Sequence, residues 1–527
     1  MKVLVTDNVA REGVAILERE PDIEVEIRET PEEEELAAVI GEYDALIVRS
    51  ATKVTARVIE NARRLKVIAR AGVGVDNIDV DAATRKGIMV VNAPNGNTVA
   101  ATEHTMAMML ALARNIPQAN TRLKAGVWDR QSFVGVELRG KTLGIIGLGR
   151  IGSGVARRAR AMEMRVLAYD PYIREEQAAS LGVELVALET LLRQSDFITV
   201  HIPLTKESRH LLNERAFSMM KDGVRIINCA RGGVIDEKAL YRALVSGKVA
   251  GAALDVFEVE PAVGNPLFQL DNVIVTPHLG ASTREAQAGV AADVAAEVLA
   301  ALRGEVVRNA VNIPAIDPGT LARLRPYLEL AEKLGRFQAQ VLTGRTQKVE
   351  VVYSGEIARE DVTLVTTAVL KGLLDPILQA KVNFVNAPLV AKERGIQVVQ
   401  VKEDREETGW ASLITVRTHT SEGEHMVGGT LFYGNEPRIV LIDGYRVDTI
   451  PSGHMLVIPH TDKPRIIGRV GTLLGQQDIN IAFMQVGRKV IGGRAIMVLS
   501  VDSPVPEETL AEIAKGDGIF DVKQVTL

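Results

Sequence analysis

Short apolar runs rich in β-branched residues alternate with stretches of helical spacing through the first part of the chain. The first five runs, at 3–6, 23–27, 45–48, 66–69 and 88–91, predict strands separated by helices. Strands that alternate with helices make βαβ units, and therefore a parallel sheet covered on both faces. Between the second and third runs, the acidic stretch Glu32 to Glu35 follows Pro31 and suits the first turn of a helix. A helix is predicted from its N-cap Thr98 to about residue 114. Six further runs, at 143–146, 165–169, 197–202, 224–229, 250–256 and 273–276, predict a second doubly wound series. The Ala-rich, proline-free stretch 282–302 reads as one long helix leaving that series, and Pro314, Pro318 and Gly319 then punctuate the chain.

From there to about residue 451 the pattern gives a helix, a Leu/Val-rich helical stretch and β-rich segments such as 397–402 and 412–418, with no catalytic motif. The last segment reads strand (455–459), helix (464–477), strand (479–487), strand (495–501), helix (507–514), strand (521–527), the ferredoxin-like βαββαβ order.

Composition narrows the function classes. The 527 residues allow several buried cores, and 62 basic against 67 acidic side chains leave a net charge of −5, so no nucleic-acid or anionic-membrane partner is implied. One cysteine, Cys229, can neither close an internal disulfide nor build a thiolate metal site. The histidines lack metal-ligand spacing, so no metal is expected. The N-terminus is too short and too soon acidic for a signal peptide, and no apolar run reaches a membrane span, so a cytoplasmic location is expected.

The chemistry sits at predicted strand ends. Gly147-Leu148-Gly149-Arg150-Ile151-Gly152 follows a strand and opens a helix, the context in which GxGxxG cradles a dinucleotide pyrophosphate. Asp170 ends the next strand, where a carboxylate accepts from ribose hydroxyls, favouring NAD over NADP. Arg231, Glu260 and His278 each follow a later strand and can converge beside the nicotinamide. An arginine fork suits a substrate carboxylate, a histidine can exchange the alcohol proton, and a glutamate beside it fixes its tautomer. Cys229 reads as a small buried residue under the cofactor rather than a reactive thiol.

The chain resembles the D-isomer-specific 2-hydroxyacid dehydrogenases of the long form. The resemblance is carried by Val48-Arg49-Ser50-Ala51-Thr52-Lys53, Arg70-Ala71-Gly72-Val73-Gly74-Val75-Asp76, Asn92-Ala93-Pro94-Asn95-Gly96-Asn97, the glycine motif, Ala230-Arg231-Gly232-Gly233 and Pro277-His278-Leu279-Gly280-Ala281-Ser282-Thr283. It implies that His278 is the acid/base, Glu260 its partner and Arg231 the substrate-orienting arginine. NAD would also touch Val73, Arg150, Ile151, Asp170, Ile202, Cys229, Ala230, Arg231, Asp255, His278, Leu279, Gly280 and Ala281.

The expected architecture is a flavodoxin-like, doubly wound substrate domain (1–97 with 284–313) around a Rossmann NAD domain (98–283), then an α+β intervening domain (314–452) and an ACT domain (453–527). The expected reaction is NAD-dependent oxidation of 3-phospho-D-glycerate in a homodimer or homotetramer. Backbone N–H groups near Val73 and Gly74 would meet the substrate carboxylate. Arg49, Ser50, Lys53 and Arg70 would meet its phosphate, with Arg130 reaching in from a neighbouring subunit. The tail segment Val457-Ile458-Pro459-His460-Thr461-Asp462-Lys463-Pro464 resembles an ACT domain, which implies that His460, Asp462 and Asn480 hold L-serine at an interface between copies. In this chain a basic pair, Arg488-Lys489, occupies a tail loop expected to be acidic.

Overall fold

The computed structural model describes all residues except 306, 315–317, 379–380 and 404–408. β1 (Lys2–Val5), β2 (Glu24–Ile27), β3 (Ala45–Val48), β4 (Val67–Arg70) and β5 (Met89–Asn92) form a parallel sheet in the order β2-β1-β3-β4-β5. This is the flavodoxin-like order. Every residue of β3 is buried, as a strand covered on both faces must be. One face is completed from far along the chain by the helix Arg284–Arg303. Its Val290, Val294, Val298 and Leu302, spaced four apart, share a core with Val3, Val5 and Val67. At roughly 1.5–3 kcal/mol per fully buried Val or Leu side chain, that stripe holds the helix on the first sheet. The Thr283 hydroxyl accepts from the Ala286 N–H to start the helix, and Gly304 ends it in the left-handed region. The acidic run opens the helix Glu33–Val39, as expected.

The second sheet comprises β6 (Thr142–Ile146), β7 (Arg165–Tyr169), β8 (Glu184–Leu185), β9 (Phe197–Val200), β10 (Val224–Asn228), β11 (Val249–Leu254) and β12 (Val273–Val275). All are parallel, in the order β12-β11-β10-β9-β6-β7-β8. Six strands were expected. The seventh, β8, is a two-residue edge strand, too short to show a period of two. The helix Thr98–Arg114 joins the sheets, with Thr98 as its first residue rather than its cap. Asn97 precedes it without capping it, because its side chain lines the cleft described below.

β13 (Thr346–Gly355), β14 (Gln397–Glu403), β15 (Ser412–Thr420), β16 (Glu424–Phe432), β17 (Glu436–Ile442) and β18 (Tyr445–Thr449) form a mixed sheet in which only β13 and β14 run parallel. β13 was not foreseen. The helix Pro318–Val341 begins at the residues expected to break the chain, since proline is tolerated in a first turn; the stretch just before it lies outside the described residues. The last unit is β19 (His454–Thr461), β20 (Ile481–Arg488), β21 (Arg494–Val501) and β22 (Lys523–Thr526), antiparallel in the order β20-β21-β19-β22 with two helices, the ferredoxin-like fold.

One face of this last sheet buries Leu456, Ile458, Met497 and Leu499 in a core with residues of its own helices. The other adds Met455, Val457, Ile496, Val498 and Val525 to the core that holds Leu330, Leu334 and Phe337 of the Pro318–Val341 helix. Gln340 on that helix grips β22 through both amide atoms, donating to the Thr526 carbonyl at 3.0 Å and accepting from the Thr526 N–H at 2.9 Å. No helix among the described residues is long and apolar enough to cross a membrane.

Candidate active site

Strand β6 runs into the glycine turn, and the helix Arg150–Ala161 leaves it. Gly147 has φ +94°, and a Cβ on Gly152 would lie 2.0 Å from the Gly147 carbonyl oxygen, so this turn closes only with glycine at both positions. A Cβ on Gly149 would meet no protein atom within 4 Å and would project into open space. No side chain caps the helix, so its first-turn N–H groups remain available. Asp170, just past β7, accepts from the Leu148 N–H at 2.8 Å and the Tyr172 N–H at 2.9 Å, which ties the turn to the neighbouring strand and leaves lone pairs for a ribose. Ile202, Cys229 to Arg231, Asp255 and His278 to Ala281 follow β9, β10, β11 and β12 along the same carboxyl edge. These residues fit a dinucleotide. Burial, with Asp255 adding to it, pushes the Cys229 thiol up to about 12, so it stays protonated.

Asp255 is fully buried and organises the loop that carries His278. It accepts from the Thr276 hydroxyl at 2.5 Å and from the N–H groups of Leu279 and Gly280 at 2.7 and 2.8 Å, with His104 Nε2 3.2 Å away. Burial pushes its carboxyl up, yet the hydrogen bonds from His104, Thr276 and Leu279 outweigh burial and hold it below the usual range. His278 itself is left-handed, φ +55°, with its N–H directed at the carbonyls of Asp255 and Thr276. Its Nδ1 lies 2.7 Å from Glu260 Oε2, while Glu260 Oε1 accepts from the Phe257 N–H at 3.0 Å. Burial raises the Glu260 carboxyl, but the bonds to His278 and Phe257 carry it below the ordinary carboxylate value. An ionised Glu260 only accepts, so the proton of a neutral His278 sits on Nδ1 and Nε2 is free to act as a base.

Arg231, after β10, donates from Nη1 to the Ala230 carbonyl at 2.7 Å and from Nε to Asp76 at 3.2 Å. A cleft of about 1050 Å³ opens between the first two sheets and is lined by Arg231, Glu260 and His278 from one side. Arg49, Ser50, Lys53, Arg70, Val73 and Gly74 line it from the other. The N–H groups of Val73 and Gly74 make no hydrogen bond to another described residue. Arg70 is mostly buried, and its Nε has no hydrogen-bond partner among the described residues. Burial, then repulsion from Arg231 and Arg49, pulls its guanidinium down to about 10. The cleft therefore concentrates positive charge that its own acids do not neutralise.

Arg130 is the exception among the expected substrate residues: it is exposed, outside the cleft, on an arm with exposed Trp128 and Val134. Several cleft residues, three polar ones among them, were given no role by the motif reading. Asp76 and Asn97 end two of the segments quoted above, and Gln287 lies on the returning helix. Asn97 Oδ1 is buried without a partner among the described residues, a signal that only the folded cleft exposes. No group of three or more histidines, cysteines or acids that could hold a metal occurs among the described residues.

The tail residues are not brought together within one chain. His460 is buried at one end of the last sheet, opposite Ala495, with Asp462 just beyond; Asn480 precedes the β20 residue that pairs with Val501 at the other end. His460 Nδ1 lies 3.0 Å from the Ile458 carbonyl. Asp462 accepts from Arg488 at 2.9 Å and from the Gly492 N–H at 3.1 Å, and Asn480 donates to Asp502 at 2.9 Å.

Comparison with known proteins identifies the domains of the chain. Residues 106–280 match the NAD binding domain of the D-isomer specific 2-hydroxyacid dehydrogenases, 323–443 the D-3-phosphoglycerate dehydrogenase intervening domain, and 454–515 the ACT domain. The chain is 51% identical to the D-3-phosphoglycerate dehydrogenase of Methanocaldococcus jannaschii, with 100% of both chains covered. It is 47% identical to that of Bacillus subtilis, over 100% of this chain and 99% of the relative. Among solved structures, D-lactate dehydrogenase from Aquifex aeolicus, complexed with NAD and lactic acid, is similar over 59% of this chain and 100% of that one (35% identity, TM-score 0.54). A glyoxylate reductase from Paecilomyes thermophila is similar over 59% and 98% (34% identity, TM-score 0.54). The chain belongs to the D-isomer specific 2-hydroxyacid dehydrogenases, NAD-dependent enzymes, on the D-3-phosphoglycerate dehydrogenase branch that carries an intervening and an ACT domain.

Proposed function

We propose that this chain oxidises 3-phospho-D-glycerate to 3-phosphohydroxypyruvate, the first step of the phosphorylated route to L-serine. The observation that carries the choice of substrate is Arg70, a largely covered arginine whose Nε has no partner and which makes no ion pair among the described residues, in one cleft with Arg49, Lys53 and the pair His278–Glu260. A phosphate dianion satisfies such a cluster, whereas lactate offers no second anion.

In this reading His278 Nε2 takes the hydroxyl proton as the substrate carbon becomes a carbonyl. Glu260 orients the ring and stabilises the imidazolium that forms. Arg231 holds the adjacent carboxylate, with the N–H groups of Val73 and Gly74 on its other side. Bound NAD, held along Gly147 to Gly152 and by Asp170, supplies the acceptor for the hydrogen and electron pair that leave the substrate. The unit 1–97 with 284–313 serves as the substrate domain and closes on the NAD domain 98–283, excluding water; 314–452 and 453–527 are the intervening and ACT domains.

The enzyme works in the cytoplasm as a homodimer or homotetramer, with Arg130 completing a neighbour's cleft. L-serine binds where His460 and Asp462 of one tail meet Asn480 of another, and slows turnover. The test follows NADH formation from 3-phospho-D-glycerate and NAD at alkaline pH with the product trapped, with and without L-serine. Turnover that serine suppresses supports both enzyme and feedback. Turnover indifferent to serine removes the feedback, and no turnover removes the substrate.

A further inference from the structure

Asp76 stands in the loop after β4, on the opposite wall of the cleft from Arg231, which follows β10. Its Oδ2 accepts from Arg231 Nε at 3.2 Å, so the ion pair bridges the two lobes across the cleft mouth. Arg231 Nη1 is committed to the Ala230 carbonyl. With Nε and Nη1 both tethered, the guanidinium plane is fixed and Nη2 is left for a ligand. Gly74 makes room for the arrangement: a Cβ there would lie 2.0 Å from Arg231 Nη2 and 2.7 Å from Asp76 Oδ2. The Asp76 charge also opposes the repulsion that Arg231 exerts on Arg70.

We propose that Asp76 is a positioning residue: by gripping Arg231 Nε from the facing lobe, it sets the plane in which Arg231 meets the substrate carboxylate, and so makes that geometry depend on how the lobes close. Asp76 has this role only if Arg231 holds the carboxylate as proposed above. A carboxylate that merely diluted the positive charge of the cleft would act differently. Its removal would strengthen binding of an anionic substrate and leave the chemical step alone.

Steady-state kinetics of the full chain with 3-phospho-D-glycerate and NAD separate these cases, together with NADH affinity and thermal midpoint for each variant. Asp76→Ala is expected to lower kcat by roughly 10- to 100-fold, as a misplaced orienting group does, without raising KM for the hydroxy acid and with NADH affinity unchanged. Asp76→Asn, which keeps an acceptor for Nε, is expected to recover most of that loss. A lower KM with unchanged kcat in Asp76→Ala overturns the proposal in favour of a purely electrostatic effect. Equal losses in Asp76→Ala and Asp76→Asn, or a matching loss of NADH affinity and thermal midpoint, also overturn it. Arg231→Ala is the control for the underlying reading. Full turnover in that variant sinks the role of Arg231 itself, whereas an inactive Arg231→Ala beside a wild-type-like Asp76→Ala sinks only the role of Asp76.

Discussion

The cleft between the first two sheets and the sheet at the C-terminal end assemble their candidate ligand residues by different routes. In the cleft, residues far apart in sequence meet because parallel strands deliver every following loop to one edge, and two such edges face each other. One chain brings Arg49, Ser50, Lys53, Arg70, Arg231, Glu260 and His278 into one cleft. In the tail, antiparallel strands carry His460 and Asn480 to opposite ends of one sheet. A parallel sheet collects its chemistry within a chain, while in the tail sheet the proposed serine-binding residues lie at opposite ends, so the proposed site requires a second copy.

That contrast is broken most severely if the cleft does not act as one unit. His278→Ala is expected to reduce kcat by roughly 10²- to 10⁴-fold while NADH binds as before, because its ring is the base that Glu260 orients. Stopped-flow turnover beside NADH fluorescence titration checks this, and turnover within a few-fold of wild type would refute the assignment. Arg70→Gln comes next: losing charge-assisted bonds worth roughly 1.5–3 kcal/mol should raise KM for the phosphorylated acid about 10- to 150-fold. Its effect on an unphosphorylated 2-hydroxy acid should be small. Equal losses on both would remove the phosphate from the cluster.

The tail side of the comparison is sharpened by its shared core. Since Met455, Val457 and Val525 pack with Leu330 and Leu334, the last two units should unfold in one transition, and Gln340→Ala should lower its unfolding free energy by about 1–3 kcal/mol. Two separate transitions in denaturant, followed by circular dichroism, would break that view. The smallest effect is expected from Arg488→Ala, which releases Asp462 from an ion pair open to solvent and screened by it. If serine competes with Arg488 for Asp462, this variant shows inhibition at lower serine. Unchanged inhibition removes Asp462 from the site.

Much of the cleft was legible beforehand because its chemistry lies in contiguous segments. The glycine turn, Arg231 and His278 each follow a β-branched run that announces a strand, and the parallel pattern dictates that the loops share an edge. The grip of Asp76 on Arg231 was not legible, since it depends on how two separate sheets face each other. Nor was the exposed position of Arg130, or the release of Thr98 from capping by an Asn97 turned into the cleft. β8 carries too few residues to register a period, whereas β13, where Lys348 and Glu350 alternate with Val349 and Val351 between Gly344 and Gly355, carries a strand signature that lies outside every motif quoted above. The helix Arg284–Arg303 declared itself through its Ala-rich, proline-free composition, whereas the sheet it covers came only from the family resemblance, since its partners Val3, Val5 and Val67 lie more than two hundred residues away.

The closing of the third unit's core by the last strand bears on how the protein is made. Val525 and the Thr526 gripped by Gln340 lie on β22, 186 residues further along the chain than Gln340 itself. A ribosome building the polypeptide releases the dinucleotide sheet, and then the helix that covers the first sheet, well before β22 is made. The third unit must wait for that strand, holding Leu330, Leu334 and Phe337 without their final cover. A nascent chain stalled before β22 would carry a finished catalytic half and a sticky, unfinished one, which makes this strand the point at which quality control has most to inspect.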